Sequence, residues 1–391
     1  MDAVPAVRWA HPVNIARDHD VVVLGGGPAG TAAAITLARA GRSPLLVERD
    51  TEPRHKICGE FLSIEARECL VKLGIDPRAL GGAPIHIVRL IHGVTAAEAP
   101  LPFEGVGLSR RAMDEVLLCR AAECGATLLR GAMVRGIDPE GSALRVSLGR
   151  GRTLRADTVF LATGKHDLRT TKRSASARCD IVGFKTYVSL ATAQGSALDG
   201  AVEIVVFDGG YAGLQKVENG VANLCLVVRK TALRAVGRSW RELLAHLRRI
   251  CPHLECRLEG ATELLERPLT IAQVPYGFVH DATLAEPAGL FRLGDQVGVI
   301  PSFSGDGIAM ALHTGQLAAW TYLEHGNAAL AYHRRVRRDI KGQIRLASVL
   351  DRLGRTQAGR RALLWTARTV PGALRAAASW TRIPKRALLQ G

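Results

Sequence analysis

The chain has 391 residues, of which 47% are hydrophobic, and a net charge of +16 at pH 7. This length and composition exclude a disordered or fibrous chain and allow a large core shared by two packed domains. Residues 1–19 contain no long apolar core, so we expect a poorly structured lead-in rather than a secretion signal. Eight scattered cysteines show no Cys-x-x-Cys pair and no histidines at metal spacing. They predict reduced thiols, a cytoplasmic protein and no metal.

The first predicted strand, residues 20–24, runs into Gly25-Gly26-Gly27-Pro28-Ala29-Gly30 and then an alanine-rich helix. This is typical of a buried parallel strand that meets a helix N-terminus, where a pyrophosphate binds. In this pattern Gly25 permits the turn, Gly27 leaves room for the phosphate, and Gly30 lets the helix pack on the strand. A second strand, residues 44–47, ends at Glu48 and Arg49. Because a carboxylate there accepts hydrogen bonds from a ribose, the sequence predicts a dinucleotide site.

Two later strands also end at glycines. Residues 157–161 lead into Ala162-Thr163-Gly164, and residues 289–293 lead into Gly294-Asp295. Pro301, Gly305 and Gly307 then precede an apolar helix that begins near Ile308 and continues to about residue 323. The N-terminus of that helix is predicted to face negative charge, like the first one.

Together these motifs resemble the FAD-dependent oxidoreductases of the glutathione-reductase-like, p-hydroxybenzoate-hydroxylase-type fold. The resemblance implies an α/β protein, with a Rossmann-type FAD-binding domain, an inserted antiparallel-sheet substrate domain and a helical C-terminus. It implies that FAD is the cofactor, that Asp295 holds the ribityl chain, and that the helix after Gly307 faces the flavin ring. It also implies that other residues of these motifs contact FAD, namely Gly25, Gly27, Pro28, Ala29, Gly30, Glu48, Arg49, Ala162, Thr163, Gly164, Gly294, Pro301, Gly305, Gly307 and Ile308.

Residues 53–63 resemble a segment of the geranylgeranyl-reductase-like branch of these flavoproteins. The resemblance implies that Lys56, Cys58 and Gly59 lie beside the flavin. Residues 109–114 match the R-x-x-x-D helix start of the family, which implies that Arg110 or Arg111 lies near FAD. The sequence departs from these families in two ways, so the reaction stays open. The Asp-Gly motif of the hydroxylases is absent after Gly164, and residues 273–278 are only weakly similar to the aromatic substrate motif of the reductases.

The order of elements predicts four parts. Residues 1–19 form the lead-in, residues 20–168 and 287–330 the FAD-binding domain, residues 169–286 the substrate domain, and residues 331–391 a basic helical segment. Strands are predicted at residues 181–191, 201–207 and 220–228, with a helix at 239–250. No second glycine motif follows a strand, so any NAD(P)H is expected to bind transiently.

Three side chains are candidates for catalysis: Cys58, Tyr211 and Tyr276. The flavin performs the redox chemistry, so the protein is expected to position it and to exclude competing reactions. His280 and His313 are further candidates, although a structural role is the favoured interpretation of each histidine. Cys58 has the alternative of a small buried apolar residue.

Residues 331–391 carry fifteen Lys or Arg against two Asp, and apolar residues recur among them at helical spacing. Such a segment predicts either peripheral contact with an anionic membrane or a structural helix pair with a solvated arginine face. The basic residues match no base-reading module, so nucleic acid is not an expected partner.

We therefore predict a cytoplasmic FAD-dependent monooxygenase that hydroxylates an aromatic, polyketide or lipid-like small molecule with O2 and NAD(P)H. The alternatives are a geranylgeranyl-reductase-like enzyme, a flavin-dependent halogenase, and a flavin-binding protein without turnover.

Overall fold

The structure is a computed structural model that describes residues 18–173, 180–281 and 286–388. Most of the predicted lead-in and Cys179, one of the predicted reduced thiols, lie outside these ranges. The seven cysteines within them are all unpaired.

The described residues form sixteen strands and twelve helices. The strands are β1 (His19–Leu24), β2 (Leu45–Val47), β3 (Phe61–Leu62), β4 (Ala83–His92), β5 (Thr95–Gly107), β6 (Thr127–Leu129), β7 (Val134–Glu140), β8 (Ala143–Leu148), β9 (Thr153–Leu161), β10 (Ile181–Ser189), β11 (Gly200–Phe207), β12 (Gly210–Lys216), β13 (Ala222–Arg229), β14 (Thr262–Glu263), β15 (Leu269–Ala272) and β16 (Leu290–Arg292). The helices are α1 (Pro28–Arg39), α2 (Ile64–Lys72), α3 (Arg110–Glu123), α4 (Thr192–Leu198), α5 (Lys230–Ala235), α6 (Trp240–Ile250), α7 (Pro252–Arg257), α8 (Gly307–His325), α9 (Ala329–Gly354), α10 (Gln357–Thr369), α11 (Ala373–Trp380) and α12 (Lys385–Leu388).

The first sheet has a parallel half and an antiparallel half. Strands β6, β2, β1, β9 and β16 run parallel, while β8 and β7 add to β9 as an antiparallel meander. The registers place Leu24 opposite both Val47 and Leu161, and Leu161 opposite Arg292. Because parallel strands end at the same edge, the glycine motif and the three later strand ends come together there.

The second sheet combines strands from two parts of the chain. Its order is β14-β10-β13-β12-β11-β4-β5-β3, with β15 also paired to β10. The antiparallel pairing predicted for the inserted segment is confirmed, but β3, β4 and β5 precede that segment, and β4 pairs with β11 in parallel. The domain boundaries therefore stay a prediction, since this sheet draws on residues from both predicted domains.

The two faces of the second sheet have different roles. On β13, Leu224, Leu226 and Val228 belong to a core cluster that also contains Leu243 and Leu247 of α6. The alternate residues of β13 face the other way, toward the first sheet.

The main core lies between the first sheet and α1, α3, α8 and α9. Alanines make α1 narrow, and α8 packs very closely against it. A Cβ atom on Gly315 of α8 would lie 2.1 Å from the carbonyl oxygen of Ala29. This close approach explains why both helices are rich in small residues, and it fixes the two helix N-termini relative to each other.

Four helices, α9 to α12, close the chain, which confirms the predicted helical C-terminus. Helices α10 and α11 pack on the β4–β5 hairpin, and α9 packs on α8. Within residues 18–173, 180–281 and 286–388, no helix combines the length and apolar character needed to span a bilayer.

Candidate functional site

A cleft lies between the two sheets. Its walls come from the glycine motif and the start of α1, the 57–61 loop, the end of β9, strands β10, β13 and β15, and residues 293–308. Of the predicted site residues, those that line it are Gly27, Pro28, Ala29, Cys58, Gly59, Arg110, Ala162, Gly164, Tyr276, Gly294, Asp295, Gly305, Gly307 and Ile308. The sequence motifs thus converge on one cavity.

The three predicted glycines of the first turn occupy different environments. Gly25 has φ +114°, and a Cβ there would lie 2.4 Å from the carbonyl oxygen of Ala162. A Cβ on Gly30 would lie 1.9 Å from the carbonyl oxygen of Gly25. Gly27, by contrast, has an ordinary φ of −80°, and its Cβ would meet only the Arg110 guanidinium, at 3.4 Å. The fold therefore requires glycine at positions 25 and 30, whereas Gly27 leaves open space before the N-terminus of α1.

Glu48 is fixed by the backbone at the end of β2. Its two carboxylate oxygens accept hydrogen bonds from the N–H groups of Gly26, at 2.7 Å, and Asp50, at 2.9 Å. Arg49 and Lys56 form ion pairs with the buried Asp50, and their contacts with the cofactor stay predictions. Neither side chain lines the cleft.

Arg110 lies at the start of α3, where Ser109 caps the helix by accepting the Ala112 N–H. Its guanidinium donates two hydrogen bonds of 2.7 Å to the Asp114 carboxylate. This bidentate pair explains the R-x-x-x-D spacing, because residues i and i+4 share one helix face. The pair fixes the position of the Arg110 guanidinium beside Gly27, where an anion would lie.

The second helix N-terminus forms the opposite wall of the cleft. Gly305 has φ +70°, and α8 begins at Gly307. Asp295 forms an ion pair of 3.0 Å with Lys165. Burial opposes the charge of Lys165, but the Asp295 carboxylate raises the pKa of the amine above its ordinary value. Lys165 also lines the cleft, and the sequence analysis did not select it.

The loop with Cys58 is fixed from the second sheet. The Asn223 amide donates hydrogen bonds to the carbonyl oxygens of Cys58, at 3.1 Å, and Gly59, at 2.8 Å. The half-buried Cys58 thiol accepts the Glu60 N–H at 3.3 Å. The loop is therefore held rigidly against the cavity, as a cofactor-facing segment requires.

A buried polar network behind this loop was missed by the sequence analysis. Glu60 and Lys185 are both fully buried and form an ion pair of 2.5 Å. Tyr187 donates to the same carboxylate at 2.7 Å, and His55 lies 3.0 Å from the Tyr187 hydroxyl. Burial raises the pKa of Glu60, and Lys185 offsets part of that rise. Glu60 also has φ +61°, which is unusual for a residue other than glycine. The sequence signal for this network is that Lys185 and Tyr187 lie two residues apart on β10 and so face the same side of the sheet.

Two of the three proposed catalytic side chains lie within reach of one hydroxyl group. The Ser302 hydroxyl lies 2.6 Å from both the Tyr211 and the Tyr276 hydroxyls. The Phe303 N–H donates to the Tyr211 oxygen at 3.0 Å. Burial raises the pKa of both phenols above the ordinary value. Both are therefore protonated at neutral pH and can act as proton donors.

The two candidate histidines lie elsewhere. His313 is buried beside Asp339, at 3.4 Å, and His280 lies 2.9 Å from Glu286. Neither lines the cleft. His280, Glu286 and His333 form a group of three potential metal ligands. However, Arg292 pairs with Glu286 at 2.9 Å, and His333 Nε2 accepts the Arg292 N–H at 3.0 Å, so this group is an ion-pair cluster.

Comparison with known proteins agrees with this site. The FAD dependent oxidoreductase family model matches residues 20–171. A menaquinone reductase of Mycobacterium tuberculosis is 27% identical over 314 residues, which are 77% of this chain and 75% of that protein. A digeranylgeranylglycerophospholipid reductase of Methanopyrus kandleri is 26% identical over 317 residues, 77% of this chain and 76% of that protein. The crystal structure of halogenase PltM aligns with a TM-score of 0.74 and 15% identity, covering 89% of this chain and 78% of that chain.

The chain is an FAD-dependent oxidoreductase with the p-hydroxybenzoate-hydroxylase-type fold. Its sequence is similar to that of a menaquinone reductase and of geranylgeranyl-type reductases. Its cofactor is FAD, and the space before Gly27 fits a pyrophosphate because a side chain there would fill it. The individual FAD contacts stay predictions. Gly27, Arg110 and the start of α1 would face the pyrophosphate, and Glu48 would face the ribose. Asp295 and the start of α8 would face the flavin part of the cofactor.

Proposed function

We propose that this protein is a reductase that saturates a carbon–carbon double bond in a hydrophobic polyprenyl lipid. The two reductases named above support the substrate class, because each aligns over about three quarters of both chains. The observation that carries the proposal is the hydroxyl cluster of Tyr211, Ser302 and Tyr276 in a cleft that aliphatic side chains also line.

The substrate end of the cleft suits an isoprenoid chain. Its walls carry branched aliphatic side chains from the 57–61 loop, the second sheet and the residues before α8, namely Ile57, Val227, Ile271, Val274, Val299 and Ile300. Such a surface binds a hydrocarbon by burying apolar area, and it leaves few polar groups to orient the substrate.

The reduction needs a hydride and a proton. The π bond breaks as one alkene carbon gains the hydride and the other gains the proton, and FAD, when bound and reduced by a nicotinamide, would supply the hydride chemistry. We assign the proton for the other carbon to the Tyr276 hydroxyl, which lines the cleft. Ser302 and Tyr211 continue the hydrogen-bonded chain behind it, so Ser302 can return a proton to Tyr276. Because both phenols are protonated, they suit this donor role better than the base role that hydroxylation of a phenol demands.

The test uses the full chain loaded with FAD, a nicotinamide donor, and menaquinone or a geranylgeranyl lipid in detergent. The proposal predicts a product that gains two hydrogen atoms and no oxygen. Replacing Tyr276 with Phe should lower the rate by about 10²–10⁴-fold with little change in KM, as expected for loss of a general acid. Tyr322→Phe is the matched control, because it removes the same atom from a residue that packs on Phe160 in the main core.

Two results would overturn the proposal: a product that carries a new oxygen atom, or a Tyr276→Phe variant that turns over at the parental rate. The monooxygenase predicted from the sequence is the alternative function, and a product with one added oxygen would establish it.

A further inference from the structure

Exposed apolar side chains are concentrated at the C-terminal end of the described chain. Of the eleven large hydrophobic residues exposed in the described part, five lie between residues 349 and 380. These are Val349, Leu353, Trp365, Val370 and Trp380, and the two tryptophans are the most exposed of the five, at 65% and 70%. With the arginines between them, we call this surface the C-terminal face.

The C-terminal face is strongly basic. It exposes Arg345, Arg352, Arg361, Arg368 and Arg375. The stretch from residue 340 to 388 contains one carboxylate, Asp351, which is buried and paired with Arg355. From the neighbouring β11–β12 turn, Asp208 pairs with Arg360 at 3.3 Å. The exposed arginines named here therefore give the face a net positive charge.

Helix α10 shows how the two kinds of side chain are combined. Arg361, Trp365 and Arg368 lie at positions i, i+4 and i+7, so they share one exposed face. The helix packs on the rest of the protein through Gly359, Arg360 and Leu364, which are buried. The exposed face of α10 therefore combines cationic and aromatic side chains, the two kinds of residue that bind helices to a membrane interface.

The C-terminal face also adjoins the substrate end of the cleft. Ser348, which precedes Val349, packs against the loop that carries Tyr276: a Cβ on Gly277 would lie 3.0 Å from the Ser348 hydroxyl. Helix α9 therefore connects the exposed face to the wall that holds the proposed proton donor.

We propose that the C-terminal face docks on an anionic lipid bilayer. The arginines would contact lipid phosphates, and the tryptophans and aliphatic side chains would enter the interface between headgroups and acyl chains. Contact with nucleic acid phosphates would use the arginines alone and would leave the five apolar side chains in water. The docking does not depend on which reaction the enzyme catalyses.

The experiment measures co-sedimentation of the FAD-loaded full chain with vesicles, without substrate. We expect binding to vesicles of phosphatidylcholine with phosphatidylglycerol, little binding to phosphatidylcholine alone, and a decrease as salt rises. The triple variant Arg361→Gln, Arg368→Gln and Arg375→Gln should weaken binding on the order of 100-fold, from about 1 kcal/mol for each arginine. Replacing Trp365 and Trp380 with Ser should weaken binding to the same vesicles without changing its salt dependence.

The matched control changes three exposed arginines on other helices, Arg234, Arg241 and Arg249, to Gln. This control should bind vesicles like the parent, and FAD content should confirm that every variant is folded. Equal losses of vesicle binding in both triple variants would refute docking through the C-terminal face. Binding to duplex DNA but not to anionic vesicles, or no vesicle binding at low salt, would also overturn the proposal.

Discussion

Replacing Gly27 with Val separates cofactor binding from folding more sharply than any other change in the glycine motif. The backbone at Gly27 has φ −80° and ψ −177°, which any residue adopts without strain. The nearest atom to a new Cβ would be the flexible end of Arg110, at 3.4 Å. We therefore expect the FAD-free variant to fold, with valine occupying the space where the pyrophosphate would lie.

The substitution and the binding of FAD should change the free energy of unfolding by clearly different amounts. Valine is a poor N-cap residue compared with glycine, so the free protein should lose about 1 kcal/mol of stability. The parent should gain about 4 kcal/mol when FAD is present at a thousand times its dissociation constant. Added FAD should thus raise the melting temperature of the parent and leave that of the variant unchanged.

The assay is thermal unfolding with and without FAD, together with flavin absorbance after gel filtration. Gly342→Val is the matched control, because Gly342 is exposed on α9 and has no neighbour within 4 Å of a new Cβ. It should retain FAD. Gly30→Ala should fail to fold, since its Cβ would lie 1.9 Å from a carbonyl oxygen. Full flavin occupancy in Gly27→Val would show that the pyrophosphate does not lie beside Gly27.

Three further predictions follow from buried groups. Glu60→Gln leaves the Lys185 charge buried without its carboxylate, so urea unfolding should show a loss of about 3–5 kcal/mol; an unchanged midpoint would show that the ion pair is not needed. Cys58→Ala should leave the fold intact and alter the flavin spectrum or turnover, because the thiol lines the cleft; a variant identical to the parent in both would leave Cys58 a structural residue. Burial raises the pKa of Asp306 from 3.8 to about 7, although Arg382 lowers it in part. The stabilisation from holding this proton is complete below about pH 4 and is lost as pH rises through 7. Asp306→Asn should flatten that part of the stability profile, and a profile unchanged between pH 4 and 7 would contradict the shift.

The cofactor side of the site could be predicted because its signals are local. Gly25, Gly30 and Glu48 each follow a strand within a few residues, and the backbone geometry of one turn determines what they do. The carboxyl ends of parallel strands then meet at one edge, so Gly164 and Gly294 join the same site without knowledge of the tertiary packing.

The substrate side could be predicted only in part, because it depends on pairing between distant strands. Both Tyr211 and Tyr276 were selected as single residues, but nothing local indicated that Ser302 would join them. The Glu60–Lys185 pair likewise forms only when the 57–61 loop packs on β10. The parallel pairing of β4 with β11 is of the same kind, since neither strand carries a signal for its partner.

In the proposed reaction, a polyprenyl lipid and not dioxygen accepts the electrons of this flavoprotein. The most direct measurement reduces the FAD-loaded protein without oxygen, adds menaquinone or a geranylgeranyl lipid, and follows the flavin absorbance in a stopped-flow instrument. We expect the oxidised flavin spectrum to return in the absence of oxygen, with one double bond lost from the lipid for each flavin reoxidised. A flavin that stays reduced until oxygen is admitted, with oxygen then incorporated into the lipid, would contradict the proposed reaction.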